Sequence, residues 1–357
     1  MSRFLLFTAV VVLITMLHSA DALQFSSLWN VQHNSTFTFP VIDETSVYVA
    51  DNAGYVYAYD KVTGLQLWSW RTNATDPGAH PTVYGGYLAA QAVTADGAPG
   101  LVVLNKTTGI PIYQLAFQFP MNIHVTAYNS MMYFSTEPSL WNATIYAVRI
   151  EDGTTVWSKY YKACTRIRAD RGVIYFGTHT GSSAANASTG ELLWHFSTNG
   201  LATNEPNFDT TQVYFADFHS FYAVDRATGH LRWNTSNFTG LAANGATVAF
   251  GRVYFETFKH DVFAFDVVTG DQVARTHGFI SISKDYLVAY EDRLIVPSIG
   301  DNQLHAFDKD LNSAIVYGPS GGWTQPVDSW PNEIVIDFRA KAGFVAANTS
   351  LWALKLF

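Results

Sequence analysis

Ala58-Tyr59-Asp60-Lys61-Val62-Thr63-Gly64-Leu65-Gln66-Leu67-Trp68 is the stretch that decides the fold. It follows Tyr55-Val56-Tyr57, a β-branched and aromatic run with strand alternation and no helical period. The small Ala58 leaves room for a neighbouring layer. Asp60 can accept hydrogen bonds from backbone N–H groups of the turn that follows. Gly64 supplies the positive φ of a hairpin corner. Trp68 then falls on the next strand, where its broad face can pack against a neighbouring sheet. Ala223 to Trp233 repeats the unit with the same anchors, Asp225, Gly229 and Trp233. Ala264, Asp266, Thr269 and Gly270 keep it, with Ala274 in place of Trp. Asn186, Thr189, Gly190 and Trp194 keep most of it; Ala147, Asp152, Gly153 and Trp157 keep part, with Arg149 at the acidic position. Val103, Asn105, Thr108, Gly109 and Tyr113 form a weaker copy. Ala306-Phe307-Asp308 opens another, with Asn312 at the glycine position and Val316 at the aromatic one.

The turn glycines at 64, 109, 153, 190, 229 and 270 recur about every 41 residues. A four-stranded propeller blade takes about 40–45 residues. One blade has no closed core, but blades stacked around an axis bury both faces and protect most edges. The unit is therefore all-β: an eight-bladed β-propeller of four-stranded antiparallel blades. Leu351-Trp352-Ala353-Leu354 matches the strand before the turn, and the missing outer strand is found near the other end, as Ser27-Leu28-Trp29-Asn30. Trp29 is thus expected to complete the last blade. Seven blades remain the alternative if the stretch from Trp323 to Gly343 is a loop insertion.

The pattern Ala-x-Asp-x-x-Thr-Gly-x-x-x-Trp resembles the tryptophan-docking repeat of the pyrroloquinoline-quinone (PQQ)-like propeller superfamily, across nearly the whole chain after residue 22. The resemblance implies fold more than activity, because one fold hosts many functions. The superfamily includes quinoprotein alcohol and glucose dehydrogenases, and also non-enzymatic members such as an outer-membrane assembly lipoprotein. The enzymes use a calcium or lanthanide ion, a catalytic Asp and often a disulfide between adjacent cysteines. This chain has one cysteine, Cys164, so that disulfide cannot form. Cys-x-x-Cys-His is absent, so no covalent c-type haem is implied. No family catalytic residue is carried over. PQQ with calcium is expected only if the chain is an oxidoreductase.

Composition agrees with a packed all-β chain. Of 357 residues, 48% are hydrophobic and 15% aromatic, but only 14% are charged, which excludes a disordered chain or a coiled coil. The net charge of −8 gives no basic face for nucleic acid. Met1-Ser2-Arg3, an uncharged apolar run from Phe4 to Leu17, and Ala20-Asp21-Ala22 read as a signal peptide over 1–22. The run is shorter than the roughly 20 residues of a spanning helix. One propeller domain would occupy 23–357. Eight Asn-x-Ser/Thr sequons, at Asn34, Asn73, Asn105, Asn142, Asn186, Asn234, Asn237 and Asn348, suggest a secreted or lumenal glycoprotein. The plain alternative is that Asn and Thr are frequent in β-turns.

Candidate site residues come from counting back along the repeat. The innermost strand of each blade lines the channel, and the first channel-facing positions fall near Phe39, His80, His124, Arg166, Glu205, Gly245, Tyr286 and Ile336. Four consecutive blades offer His80, His124, Arg166 and Glu205 around one rim, and converging polar groups at a concave mouth suggest a ligand site. Such a rim suits an anion through Arg166, or a divalent metal through both His and Glu205. The plain reading is a wet channel lined with polar groups. Alternation puts Arg166 and Arg168 on one strand face, where they could hold a carboxylate or sulfate, or where Arg168 pairs with Asp170 or Glu205. Cys164 reads as a small buried hydrophobe rather than a nucleophile served by His124 or His179. Asp51-Asn52-Ala53-Gly54 reads as a hairpin turn, since it lacks the spaced ligands of a calcium loop. The expected function is non-catalytic binding or scaffolding of a protein, small molecule or glycan, through the channel mouth and inter-blade loops. Phe218, His219, Phe258, Lys259 and His260 are candidate loop contacts. The rival is a quinone- or metal-dependent oxidoreductase.

Overall fold

The computed structural model describes residues 25–74, 80–119, 124–139, 142–162, 166–198, 200, 202, 205–236, 245–257, 259, 261–276, 287–298, 303–312, 315–317, 331–347 and 349–356. Residues 1–22, read above as a signal peptide, and Cys164, Asn237, Phe258, His260, Tyr286, Trp323 and Asn348 lie outside them. The regular structure is eight four-stranded antiparallel sheets arranged as a propeller. In blade 1, Val41–Ile42 is innermost, followed outward by Ser46–Ala50, Tyr55–Asp60 and Gln66–Arg71. Blades 2 to 7 repeat that order over 82–116, 126–161, 168–197, 207–235, 247–276 and 288–317. Blade 8 combines Pro331–Asp337, Ala342–Ala347 and Ser350–Leu356 with Phe25–Gln32 as its outer strand. Trp29 pairs with Ala353 and Asn30 with Trp352, so the first described strand closes the ring in the expected register. The inner strand of blade 8 also lies against that of blade 1. Among the described residues no helix is long and apolar enough to cross a membrane.

The motif works as a docking device. The turn carboxylate of Asp60 accepts the N–H groups of Val62 (3.1 Å) and Thr63 (2.7 Å). Asp225 and Asp266 do the same in their turns, as do the Oδ1 atoms of Asn105 and Asn186. Each outer-strand aromatic then reaches the next blade. Its polar hydrogen goes to the carbonyl of the residue after the turn acid. Trp29 Nε1 donates to Lys61 O (3.1 Å), Trp68 to Lys106 O (2.9 Å), Trp157 to Ala187 O (2.9 Å), Trp194 to Arg226 O (3.1 Å) and Trp233 to Val267 O (3.0 Å). The Tyr113 hydroxyl makes the equivalent bond to Ile150 O (2.8 Å). The turn glycine has a second reason to be glycine besides its positive φ of 71°: a Cβ on Gly64 would sit 2.7 Å from the Trp29 ring. The ring of one blade and the turn of the next are one interlocked part.

Blade 7 departs from the expectation. The residue opposite Ala306 is Ile315, not Val316. Elsewhere the positive φ falls four residues after the turn acid, as at Asp60 and Gly64; here it falls at Leu311, three after Asp308. The turn is one residue shorter, and the anchor position moves with it.

Because each blade is an antiparallel meander, its turns alternate between two ends. The hairpins between second and third strands share one end, the loop face, with the connections between blades. The docking turns and the turns after the inner strands occupy the other. Asp51-Asn52-Ala53-Gly54 is a loop-face hairpin: Asp51 Oδ1 accepts the N–H groups of Ala53 (3.1 Å) and Tyr55 (2.8 Å), and Gly54 has φ of 84°.

Candidate ligand site at the channel mouth

Two rings of equivalent positions define the mouth. The outer of the two holds Phe39, His80, His124, Arg166, Glu205 and Gly245, each two residues before an inner strand begins or its register equivalent. Each is nine residues before the second-strand residue of its blade. In blade 8 the count differs, because the inner turn is longer: the last pair, Asp337 with Ala342, brackets residues 338–341, where in blade 1 the Asp43 N–H bonded to Ser46 O brackets only 44 and 45. Val335 is the register equivalent of Val41, so the mouth position is Glu333, and Ile336 is not there. Ile336 is buried instead in the core between blades 7 and 8, with Tyr290 and Leu354.

The second ring lies two residues further along and clasps adjacent blades. Thr82 Oγ1 donates to Val125 O (2.6 Å), Asn207 Nδ2 to Ala246 O (2.5 Å) and Thr247 Oγ1 to Leu287 O (2.5 Å); Thr126 donates likewise to Ile167 O. Arg168 holds the equivalent position in blade 4. Its Nε donates to Glu205 Oε1 at 2.5 Å, so of the two readings of this arginine the ion pair is the one observed. Asp170 pairs with Arg226 of blade 5.

Within the first ring the predicted residues fall into two contacting pairs, His80 with His124 and Arg166 with Glu205, and Arg166 stands near enough to bear on the charge of His124. The Phe39 and His80 rings stack, with centroids 3.5 Å apart and planes 17° off parallel. The His80 and His124 rings lie 4.0 Å apart at 57°. Arg166 Nη1 is 3.8 Å from Glu205 Oε2, an ion pair too long for a hydrogen bond. Both imidazoles keep some open surface but are set deep among protein atoms, as expected on a channel wall. That burial, with His124 and Arg166 beside it, holds His80 well below the ordinary imidazole range. Burial, then Arg166 and Arg168, holds His124 down to about 2. Two neutral imidazoles thus stand beside two guanidiniums. The metal alternative fails on donors: the Glu205 carboxylate is bound by arginine. Among the described residues no three His, Cys, Asp or Glu side chains are grouped to hold a metal ion.

Phe39 belongs to the arc although sequence reasoning put it in no site; its register position was the available signal. Phe218 and His219 are exposed on the loop-face hairpin of blade 5.

The family model described as outer membrane protein assembly factor BamB, built on PQQ-like repeats, matches residues 17–116, 142–276 and 179–310. The chain belongs to this family. It is 28% identical over 180 residues to the outer membrane protein assembly factor BamB of Burkholderia pseudomallei, covering 47% of this chain and 46% of that one. It is 22% identical over 222 residues to the tetrathionate hydrolase of Acidithiobacillus ferrooxidans, covering 54% of this chain and 44% of that enzyme. The chain thus spans under half the length of either relative. Among solved structures, BamB from Moraxella catarrhalis superposes with a TM-score of 0.72 at 14% identity, over 93% of this chain and 98% of that one. The quinohemoprotein alcohol dehydrogenase ADHIIG of Pseudomonas putida HK5 superposes with a TM-score of 0.73 at 13% identity, over 93% and 76%. The computationally designed Ika8 protein gives 0.73 at 14%, over 92% and 98%. An enzyme, an assembly factor and a design share this wheel, so the likeness carries the fold alone.

Proposed function

We propose that this BamB-family propeller is a non-catalytic binding protein of the secretory pathway, with a ligand site at the mouth formed by His80, His124, Arg166 and Glu205. The observation that carries the reading is the convergence of these four side chains, from four consecutive blades, beside a loop face suited to protein contact. Both imidazoles are neutral, which suits binding. Proton transfer at neutral pH calls for a group poised near that pH. The assembly-factor relative supports a protein partner, for which Phe218 and His219 on the same face are contact candidates.

The sequons support the secretory setting by their placement. Asn34, Asn73 and Asn234 are exposed at loop-face ends of strands or connections, and Asn142 is half-buried in a loop-face hairpin. Asn105 and Asn186 differ, because their side chains act as the turn acceptor. Glycans would therefore gather on the loop face and leave the docking turns bare. Expression through a eukaryotic secretory route, followed by site-resolved mass spectrometry, should find Asn34, Asn73 and Asn234 occupied; bare asparagines at all three would remove the setting. The enzyme rival is tested separately. Incubation with PQQ and calcium should give neither a quinone spectral shift nor dye reduction with alcohols; turnover would overturn the non-catalytic reading.

A further inference from the structure

The mouth arc allows its ligand class to be named, on the premise that the mouth is the binding site. Glu205 is already committed: one oxygen is bonded to Arg168 and the other faces Arg166. A cation entering between these blades would meet two guanidiniums, and the one carboxylate beside them is already bound by arginine. Burial first, and the guanidiniums after it, keep the imidazoles neutral, so each still carries one N–H. His124 Nε2 is buried and has no hydrogen-bond partner among the described residues. Leaving such a polar nitrogen dry costs about 1–3 kcal/mol, which an incoming acceptor oxygen would remove. Gly245, next around the ring after Glu205, places no side chain at its position. Phe39 closes the other end with an apolar ring face.

We propose that this arc binds a small free oxyanion, a carboxylate or sulfate-type group. Arg166 supplies the charge-assisted donor, and His124, in the tautomer protonated at Nε2, supplies a neutral one. Arginine suits this role because its planar fork matches two oxygens at once. Arg168 and Glu205 act as the fixed support: their ion pair holds the strand beginning at Arg168 against blade 5 and keeps Glu205 from closing on Arg166 at hydrogen-bonding distance. Phe39 and His80 form the stacked wall that sets the His124 ring. The site discriminates by charge and by acceptor geometry, so neutral sugars and divalent cations are poor ligands.

The test is titration of the purified protein with sodium sulfate and sodium acetate at constant ionic strength, followed by calorimetry and by ¹⁵N signals of the imidazoles. Zinc chloride and a neutral monosaccharide form the comparison arms. Saturable sulfate or acetate binding that shifts the His124 Nε2 signal is expected. Arg166→Gln should weaken it at least ten-fold, Arg166→Lys, which keeps the charge but not the planar fork, should weaken it less than Gln does, and His124→Gln should weaken it several-fold. Melting curves show that each variant is folded. Sulfate binding unchanged in folded Arg166→Gln would overturn the proposal, as would saturable zinc binding at the imidazoles with no response to either anion. If no anion binds, the oxyanion class is lost while the non-catalytic reading stands, because the dye-reduction assay decides that reading independently.

Discussion

Six of the eight blade interfaces are docked by an outer-strand aromatic, and two are not. From blade 8 through blade 1 to blade 6, Trp29, Trp68, Tyr113, Trp157, Trp194 and Trp233 each bond to a carbonyl of the next blade. Between blades 6 and 7 the aromatic position is Ala274, and between blades 7 and 8 it is Ile315. The undocked seams are closed by other means. Leu311 replaces the turn glycine of blade 7 and packs in the same core cluster as Ala274 and Tyr254. Large-on-small has become small-on-large, with volume roughly kept. Polar contacts add to it: Arg252 pairs with Asp310 (2.5 Å), and the Tyr254 hydroxyl donates to Lys309 O (2.8 Å). The seam to blade 8 relies on aliphatic packing around Ile295, Leu304, Ile336 and Val345, with Tyr290 against Phe338. The lesson is that the wheel needs filled seams, and that docking is the means used wherever the turn keeps its glycine.

The largest effect is expected from undocking a good seam. Trp194 is only 8% exposed, so Trp194→Ala should cost about 3–5 kcal/mol in denaturant unfolding. A loss under about 1 kcal/mol would mean that the docked seams are no more dependent on their aromatic than blades 7 and 8 are.

Acid should act on the docked blades next. The His80–His124 stack bridges blades 2 and 3, and both imidazoles have folded pKa values below the unfolded one. The unfolded chain therefore takes up the protons first. Stability is intact above about pH 6.5 and falls as pH drops below it, by up to about 1.4 kcal/mol per imidazole per pH unit. His124 keeps contributing down to about pH 2. His124→Phe should flatten the slope of stability between pH 6.5 and 5. An unchanged slope would mean that other groups carry the acid sensitivity.

What the sequence made legible follows the same division. In blades 1 to 6, where the turn keeps its glycine, the register and the mouth positions from Phe39 to Gly245 were readable by counting, as was the ring closure at Trp29. Where the motif decays, counting failed for a physical reason. Blade 7 shortened its docking turn, which displaced Val316 in favour of Ile315. Blade 8 lengthened its inner turn, which displaced Ile336 in favour of Glu333. Side-chain choices between partners were not legible either. The sequence offered Arg168 both Asp170 and Glu205, and only the rotation from blade to blade brings Glu205 within reach. The contact of each turn glycine with the preceding blade's aromatic was also hidden, because the two residues are some 35 positions apart in the chain.

A swap across the blade 6–7 seam tests the volume argument. Ala274→Trp alone should cost about 1–3 kcal/mol, because Leu311 occupies the space a ring would need. Ala274→Trp with Leu311→Gly recreates the ring-on-glycine pair and also removes a non-glycine residue from φ of 58°. The double variant should be more stable than the sum of the singles by about 1 kcal/mol or more. Strict additivity would show that Leu311 and Ala274 do not share one space.

The smallest expected effect isolates the polar part of that seam. Tyr254 is fully buried, and its hydroxyl reaches Lys309 O in the turn of blade 7, where the docked seams place an indole N–H. Tyr254→Phe keeps the ring in its cluster and removes only the donor, so it should cost about 1 kcal/mol. In a Trp194→Ala background the two losses should add, since the residues sit at different seams in separate core clusters. Hydrogen exchange gives the sharper reading. If the hydroxyl stands in for the missing indole, Tyr254→Phe should speed exchange in Gln303–Asp308 of blade 7 and leave Phe221–Asp225 of blade 5 unchanged. Equal acceleration in both strands would mean that the ring opens as one unit and that the seams are not separately held.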